Sequence, residues 1–195
     1  MDALFLEQYG VTSLKLPALL QRLQTLKLVV FDVDGVLTDG RLIYSAQGEE
    51  QKCFNVKDGV ALKLLPKWGV EVAIITAKDS APLRQRMQDL GVQHFYPGCH
   101  NKKAAFIELL QTLSIDPIDA AYVGDDVIDL QVMPLVGLSL CPSDAHTLVR
   151  RHCQQTLLSQ GGKGVAREVC DLVLASRMTL EVAYEIASKP EFEKN

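Results

Sequence analysis

The sequence predicts an α/β fold, a three-layer, Rossmann-like arrangement in which a mainly parallel sheet carries helices on both faces. Two observations lead there: short apolar runs of strand length recur along the chain, and stretches with helical periodicity lie between them. Strands that alternate with helices in this way pair in parallel through crossovers. Such crossovers are right-handed, and ligands gather at the carboxyl ends of the strands. A third observation is size. At 195 residues a single domain, residues 1–195, accommodates the pattern and can bury a core without disulfide or metal staples.

The elements follow in order. Residues 1–26 contain an amphipathic helix, with Leu16, Leu19, Leu20, Leu23 and Leu26, read as a packing helix. Leu28, Val29, Val30 and Phe31 read as a buried strand. Residues 40–55 read as a small β-hairpin insertion: Arg41 to Tyr44, a turn at Ser45 to Gly48, and a return from Glu49 to Phe54. The insertion is too short to be a domain that closes over a site. Its outer strand carries Leu42, Ile43 and Tyr44, which a lone chain would expose. A helix with Val60, Leu62, Leu64 and Leu65 leads to the strand Val70 to Ile75. The next helix shows Leu83, Met87 and Leu90 at i, i+4 and i+7, and another holds Ala105, Ile107, Leu109, Leu110 and Leu113. Two further strands span Ala120 to Val123 and Val136 to Leu140. The tail, residues 160–195, opens with Gly161, Gly162, Lys163 and Gly164, followed by a helix around Val165 to Leu174.

Composition excludes several classes. Hydrophobic residues make up 48% and charged residues 23%, ordinary for a soluble protein and unlike disordered or collagen-like chains. A net charge of −4 lacks the broad positive field of a nucleic-acid binder. No stretch reaches the ~18 apolar residues of a membrane helix. Met1 to Gly10 carries Asp2 and Glu7 but no basic residue to open a secretory signal. The five cysteines, Cys53, Cys99, Cys141, Cys153 and Cys170, are scattered. They read as buried free thiols in a reducing cytoplasm. The four histidines lack zinc spacing.

Chemistry concentrates at strand ends. The first strand runs into Asp32-Val33-Asp34-Gly35, and carboxylates at i and i+2 of an extended chain point to one side. The strand Ala120 to Val123 runs into Gly124-Asp125-Asp126, with Asp129 one turn later. If both ends meet at one sheet edge, several like charges converge, which calls for a cation. Oxygen ligands without Cys or His suit Mg²⁺. An Asp after a strand also serves as an N-cap or turn residue, and Asp126 and Asp129 fit that use better than direct metal ligation. Between the acidic clusters, Thr76 closes a strand and Lys102 opens a helix after Asn101, each at an element boundary. Lys103 is a second candidate for the anion-binding lysine.

This order of motifs, D-x-D-G, a strand-end Thr, a Lys and G-D-D-x-x-D, resembles the haloacid dehalogenase (HAD) superfamily of phosphohydrolases. Asp32 to Gly40, Gly48-Glu49-Glu50, Phe54 to Gly59, Ala121 to Asp126, and Gly161-Gly162-x-Gly164 with Arg167-Glu168 resemble its sugar-acid phosphatases. The resemblance implies a Mg²⁺-dependent phosphatase of an eight-carbon sugar-acid phosphate, acting in lipopolysaccharide sugar synthesis. A nine-carbon, sialic-acid-type phosphate and a non-catalytic binding homologue stay open as alternatives.

In that mechanism Asp32 attacks phosphorus, and Asp34 protonates the leaving oxygen and later deprotonates water. Asp32, the main-chain carbonyl of Asp34 and Asp125 hold the metal, while Thr76 and Lys102 bind phosphoryl oxygens. By resemblance Asn55, Val56, Lys57, Asp58 and Gly59 line the substrate site. Arg86, Lys63 and Lys78 face the anionic groups. The family usually has Arg at positions 63 and 78, and Gly at 77, where this chain has Lys63, Lys78 and Ala77. A lysine is a point charge where arginine offers a bidentate fork. The resemblance further implies a homotetramer joined through the hairpins. In it the glycine-rich tail segment, a lid held by few contacts, covers a neighbouring subunit's site.

Overall fold

The computed structural model describes residues 16–189 and Phe192. Six strands, β1 (Leu28–Phe31), β4 (Glu71–Ile75), β5 (His94–Tyr96), β6 (Ala120–Val123), β7 (Leu138–Cys141) and β8 (Gln155–Thr156), form one sheet. Its spatial order is β5-β4-β1-β6-β7-β8, and every neighbouring pair is parallel. The chain builds outward from β1 to one side, then returns to fill the other. Such a reversal opens a crevice at the carboxyl ends of β1, β4 and β6. A separate antiparallel hairpin, β2 (Ile43–Ser45) with β3 (Gly48–Gln51), follows β1. Its Leu42, Ile43 and Tyr44 are exposed.

The helices are α1 (Leu16–Thr25), α2 (Val56–Lys67), α3 (Ala81–Leu90), α4 (Lys102–Leu113), α5 (Thr147–His152), α6 (Val165–Ala175) and α7 (Leu180–Tyr184). Strand side chains alternate between two cores. Val29, Phe31, Val72, Ile74, Ala121 and Val123 pack with Leu23 of α1, Leu65 of α2, Met87 of α3 and Val169 of α6. Leu28, Val30, Ala73, Ile75 and Tyr122 pack with Phe106 and Leu109 of α4 and Val149 of α5. Both faces are covered, so the strands read in sequence as unbroken apolar runs. Leu19, Leu23 and Leu26 around α1 are buried as expected. Residues 1–15 lie outside the described residues.

The two edge strands β5 and β8 are additions to the sequence reading. They hold three and two half-buried residues, too few to show a period. The cysteine expectation is corrected in part. Cys141 and Cys170 are buried, but Cys99 and Cys153 are half-buried and Cys53 is exposed. Among the described residues no helix is long and apolar enough to cross a membrane.

The tail also departs from expectation. The Gly162 N–H donates to the Val36 carbonyl at 2.9 Å, and the Gly161 N–H donates to Asp144 Oδ1 at 2.9 Å. The glycine-rich segment is therefore packed onto the loop after β1 of its own chain, and it is no lightly held lid. The helix it opens is a core element, with Val165, Val169, Leu172, Val173 and Leu174 all buried. At about 1.5–3 kcal/mol per buried aliphatic side chain, losing these five matches the whole net stability of a domain, about 5–15 kcal/mol. A chain ending at Gln160 should therefore fail to fold. Far-UV circular dichroism and thermal melting check this; a cooperative melt of the shortened chain would refute it.

Candidate active site

The site is built from the loops that leave β1, β4 and β6, with the start of α4. The Asp32 N–H extends the sheet ladder to the Val123 carbonyl at 2.9 Å, so its backbone is fixed by the sheet. The chain then coils tightly. The Val33 carbonyl accepts from the N–H groups of Val36, Leu37 and Thr38. Gly35 permits the turn with φ of +85°, a conformation that costs glycine little. It also leaves room. A Cβ there would stand 2.0 Å from Asp125 Oδ2, and a Cβ on Gly124 would stand 2.3 Å from Asp129 Cγ. The acidic loop after β6 thus lies directly against the loop after β1.

Lys102, at the first turn of α4, is 1% exposed. Its Nζ lies 2.7 Å from Asp32 Oδ2 and 2.7 Å from Asp129 Oδ1. Asn101 caps α4 by accepting the Ala104 N–H, which fixes where the lysine begins. Burial pulls the Lys102 ammonium downward, but Asp32 and Asp129 outweigh it and raise it above its ordinary value. The alternative candidate, Lys103, is exposed. Asp129 is fully buried. It accepts from Lys102 and from Tyr122 Oη at 2.7 Å, and from the N–H groups of Asp125 and Asp126 at 3.0 and 3.1 Å. Asp126 in turn caps the short 3₁₀ turn Val127–Gln131.

Asp34 Oδ1 accepts from the ammonium of Lys52, just after β3, and from Thr38 Oγ1 at 3.3 Å. Asp34 Oδ2 and Asp125 Oδ1 are buried without a hydrogen-bond partner. Burial, then repulsion from Asp129, pushes Asp32 up to about 6 despite Lys102. Burial, then Asp32 and Asp129, pushes Asp125 up to about 8. Carboxylate oxygens of Asp32, Asp125 and Asp129 lie within 4.8 Å of one another. Asp129 is already committed to four donors, so Asp32 and Asp125 have the free capacity. Crowded hard oxygens with unsatisfied lone pairs fit Mg²⁺.

A cavity of about 270 Å³ opens over this cluster, lined by Asp32, Asp34, Thr76, Lys78, Asp125 and Asp126 with Leu42 from the hairpin side. Asn55, Val56, Lys57, Asp58, Gly59, Lys63 and Arg86 do not line it. Val56 and Lys57 are exposed. Asn55 caps α2, and its Nδ2 lies 3.4 Å from the Gly162 carbonyl. Asp58 is buried and accepts the Arg167 N–H at 2.9 Å, holding the start of α6; burial pushes it up to about 6. Arg86 lies over Phe54, with Nη2 3.5 Å from the Asn55 carbonyl. Lys63 lines a different cavity of about 290 Å³, beside Glu71 and His94 near the β4–β5 edge. Lys52, Thr38 and Tyr122 are site residues that sequence reasoning missed. For Lys52 no signal existed, because a lysine in a polar hairpin reads as solvated.

No family model matches the chain. Curated relatives do. The chain is 42% identical over 175 residues to the 3-deoxy-D-manno-octulosonate 8-phosphate phosphatase KdsC of Escherichia coli K12, covering 90% of this chain and 92% of that one. Among solved structures it is similar to the 3-deoxy-D-manno-octulosonate 8-phosphate phosphatase of Yersinia pestis. That match has a TM-score of 0.82 and 43% identity, over 84% of this chain and 89% of that one. The enzyme of the same name from Moraxella catarrhalis, solved with magnesium, phosphate and KDO, matches with a TM-score of 0.78 and 35% identity. That similarity spans 81% of this chain and 91% of its counterpart. With this identity over nearly the whole length, and the acidic cluster in place, the chain belongs to the 3-deoxy-D-manno-octulosonate 8-phosphate phosphatase family of the HAD superfamily.

Proposed function

We propose that this chain is a Mg²⁺-dependent phosphatase that hydrolyses 3-deoxy-D-manno-octulosonate 8-phosphate to the free sugar acid and inorganic phosphate, in lipopolysaccharide sugar synthesis. The observation that carries the reading is the Lys102-bridged cluster of Asp32, Asp125 and Asp129, beside Asp34, in a chain 42% identical to enzymes of that name. Asp32, Asp125 and the main-chain carbonyl of Asp34 would hold the metal. Bound there, Mg²⁺ supplies positive charge that offsets repulsion between a carboxylate and a phosphoryl group.

The chain's own residues do the rest. Asp32, fixed by the β1–β6 ladder, attacks phosphorus and forms an aspartyl-phosphate. Asp34 gives a proton to the departing sugar oxygen and then takes one from water. Lys102 and Thr76 bind phosphoryl oxygens as charge shifts in the transition state. Lys78, on the cavity wall, meets the anionic end of the sugar. Asn55 to Gly59, Lys63 and Arg86, which do not line the chain's own cavity, are assigned to substrate contact in an assembled homotetramer. The exposed Leu42, Ile43 and Tyr44 of the hairpin support that assembly. The enzyme works in the cytoplasm, where its sugar-acid substrate is made.

Three sets of measurements test this reading. Phosphate release should be fastest from 3-deoxy-D-manno-octulosonate 8-phosphate in a panel that includes a sialic-acid-type 9-phosphate, and Asp32→Asn should fold yet show essentially no turnover. A faster nine-carbon substrate would overturn the substrate, and an active Asp32→Asn protein the aspartyl-phosphate route.

The second set follows from the raised carboxylates. Asp125 moves from an ordinary 3.8 to about 8 on folding, so the folded chain holds this proton more tightly than the unfolded one. The stability this contributes is present below pH ~4 and is lost as pH rises towards ~8. In chelator the melting temperature should fall from pH 5 to pH 8. Saturating Mg²⁺ should raise it by ~5–10 °C at pH 8, and by less at pH 5, because the cation replaces the proton. No Mg²⁺-dependent shift at pH 8 would refute the metal site.

The third concerns Lys78. Lys78→Ala should raise KM for the sugar-acid phosphate about tenfold more than for a phosphate ester without a carboxylate, in keeping with loss of one charge-assisted contact. Equal effects would mean that Lys78 does not meet the carboxylate.

A further inference from the structure

Among the described residues, Lys52 is a buried cation of the site that the mechanism above leaves without a task. It follows β3 directly, on the return arm of the hairpin, and its side chain is 0% exposed. Burying an ammonium is costly unless it is paired, and the pairing here is specific. The ammonium meets Oδ1 of Asp34 and not Oδ2. Thr38 Oγ1 donates to the same oxygen at 3.3 Å. Oδ2 is buried and has no partner, while Asp34 lines the cavity beside Asp32 and Asp125.

From this geometry we propose that Lys52 is a positioning residue for the acid–base carboxylate, holding Asp34 through Oδ1 at the wall of the cavity. The inference rests on the phosphatase reading and deepens it. An ammonium has three N–H donors and no acceptor. With the Thr38 hydroxyl on the same oxygen, it fixes the rotation of the carboxyl group. When Asp32 attacks, the bond from phosphorus to the sugar oxygen breaks. Its electron pair stays on that oxygen, which takes a proton from the carboxyl group that Lys52 holds in place. In the second half the Asp34 carboxylate takes a proton from water as the water oxygen bonds to phosphorus and the bond from phosphorus to Asp32 breaks, returning its electron pair to the Asp32 carboxylate. The same tether ties the hairpin to the catalytic loop.

A merely structural pin would lower every activity together. A proton-positioning residue matters most when the leaving oxygen needs protonation. Kinetics of Lys52→Met on 3-deoxy-D-manno-octulosonate 8-phosphate should show kcat reduced by about 100-fold, the lower range for loss of general acid catalysis, with little change in KM. On p-nitrophenyl phosphate, whose leaving group departs without a proton, the loss should be at least tenfold smaller. Lys52→Arg should restore much of the sugar-phosphate rate. In an Asp34→Asn background, Lys52→Met should add no further loss. If the methionine variant does not fold, Lys52→Gln should show the same split between substrates. Equal losses on both substrates, or additive losses in the double variant, would overturn the role of Lys52 while leaving the phosphatase reading intact. A wild-type protein that hydrolyses neither substrate would overturn the phosphatase reading and this role with it.

Discussion

A single ammonium, that of Lys102, lies 2.7 Å from Asp32 and 2.7 Å from Asp129 with almost no solvent contact. Removing one partner of such a buried pair costs about 3–5 kcal/mol, because the other charge is stranded. Here the loss would strand two carboxylates at once. The arrangement holds only because Asp129 is itself immobilised by Tyr122 and by the main chain of the loop after β6. Sheet register, loop conformation and the start of α4 all converge on that one nitrogen. The parallel order around β1 is what brings them together, since Asp32, Thr76 and the 125–129 loop leave adjacent strands at the same edge.

Among the described residues, the buried positive charge at the aspartates is divided between two lysines with different origins. Lys102 comes from the scaffold and serves the nucleophile. Lys52 comes from the inserted hairpin and serves the acid–base residue. Asp125, raised to about 8 mainly by burial and then by its acidic neighbours, has an oxygen with no hydrogen-bond partner. A divalent cation answers the charge that these lysines leave over, which is why the same cluster reads as a metal site and as a phosphoryl-transfer site.

The scaffold was largely legible in the sequence because burial on both faces leaves a plain trace. Leu28 to Phe31, Glu71 to Ile75 and Ala120 to Val123 are apolar at every or nearly every position. Asp32, Thr76 and Asp125 could be placed because each sits at or just past the end of such a run, and Lys102 because Asn101 before it marks a helix start. The edge strands β5 and β8 left no trace, being two or three half-buried residues held by a single neighbour. Lys52 was silent because its partner is fixed by the fold of the hairpin over the loop after β1, a tertiary matter with no local period. Asp58, given to substrate contact by resemblance, carries a structural use that the sequence did not show: in the first turn of α2, its Oδ1 accepts the Arg167 N–H at the start of α6. The glycine-rich segment was misleading, since Gly161 and Gly162 suggest mobility in sequence and are tightly packed in the fold.

Gly35 and Gly124 also bear on how this protein can vary. Each occupies a place where a Cβ would fall on a carboxylate, that of Asp125 or of Asp129. A substitution at either glycine is tolerable only if the facing acid retreats. Retreat of Asp125 disturbs the metal cluster, and retreat of Asp129 releases Lys102. Mutational drift at these positions is therefore closed by epistasis, across the two loops for Gly35 with Asp125 and within the loop after β6 for Gly124 with Asp129, although neither glycine takes part in any reaction. The two glycines and two aspartates behave as a single inherited unit, and a library that randomised them one at a time would find almost no neutral neighbours.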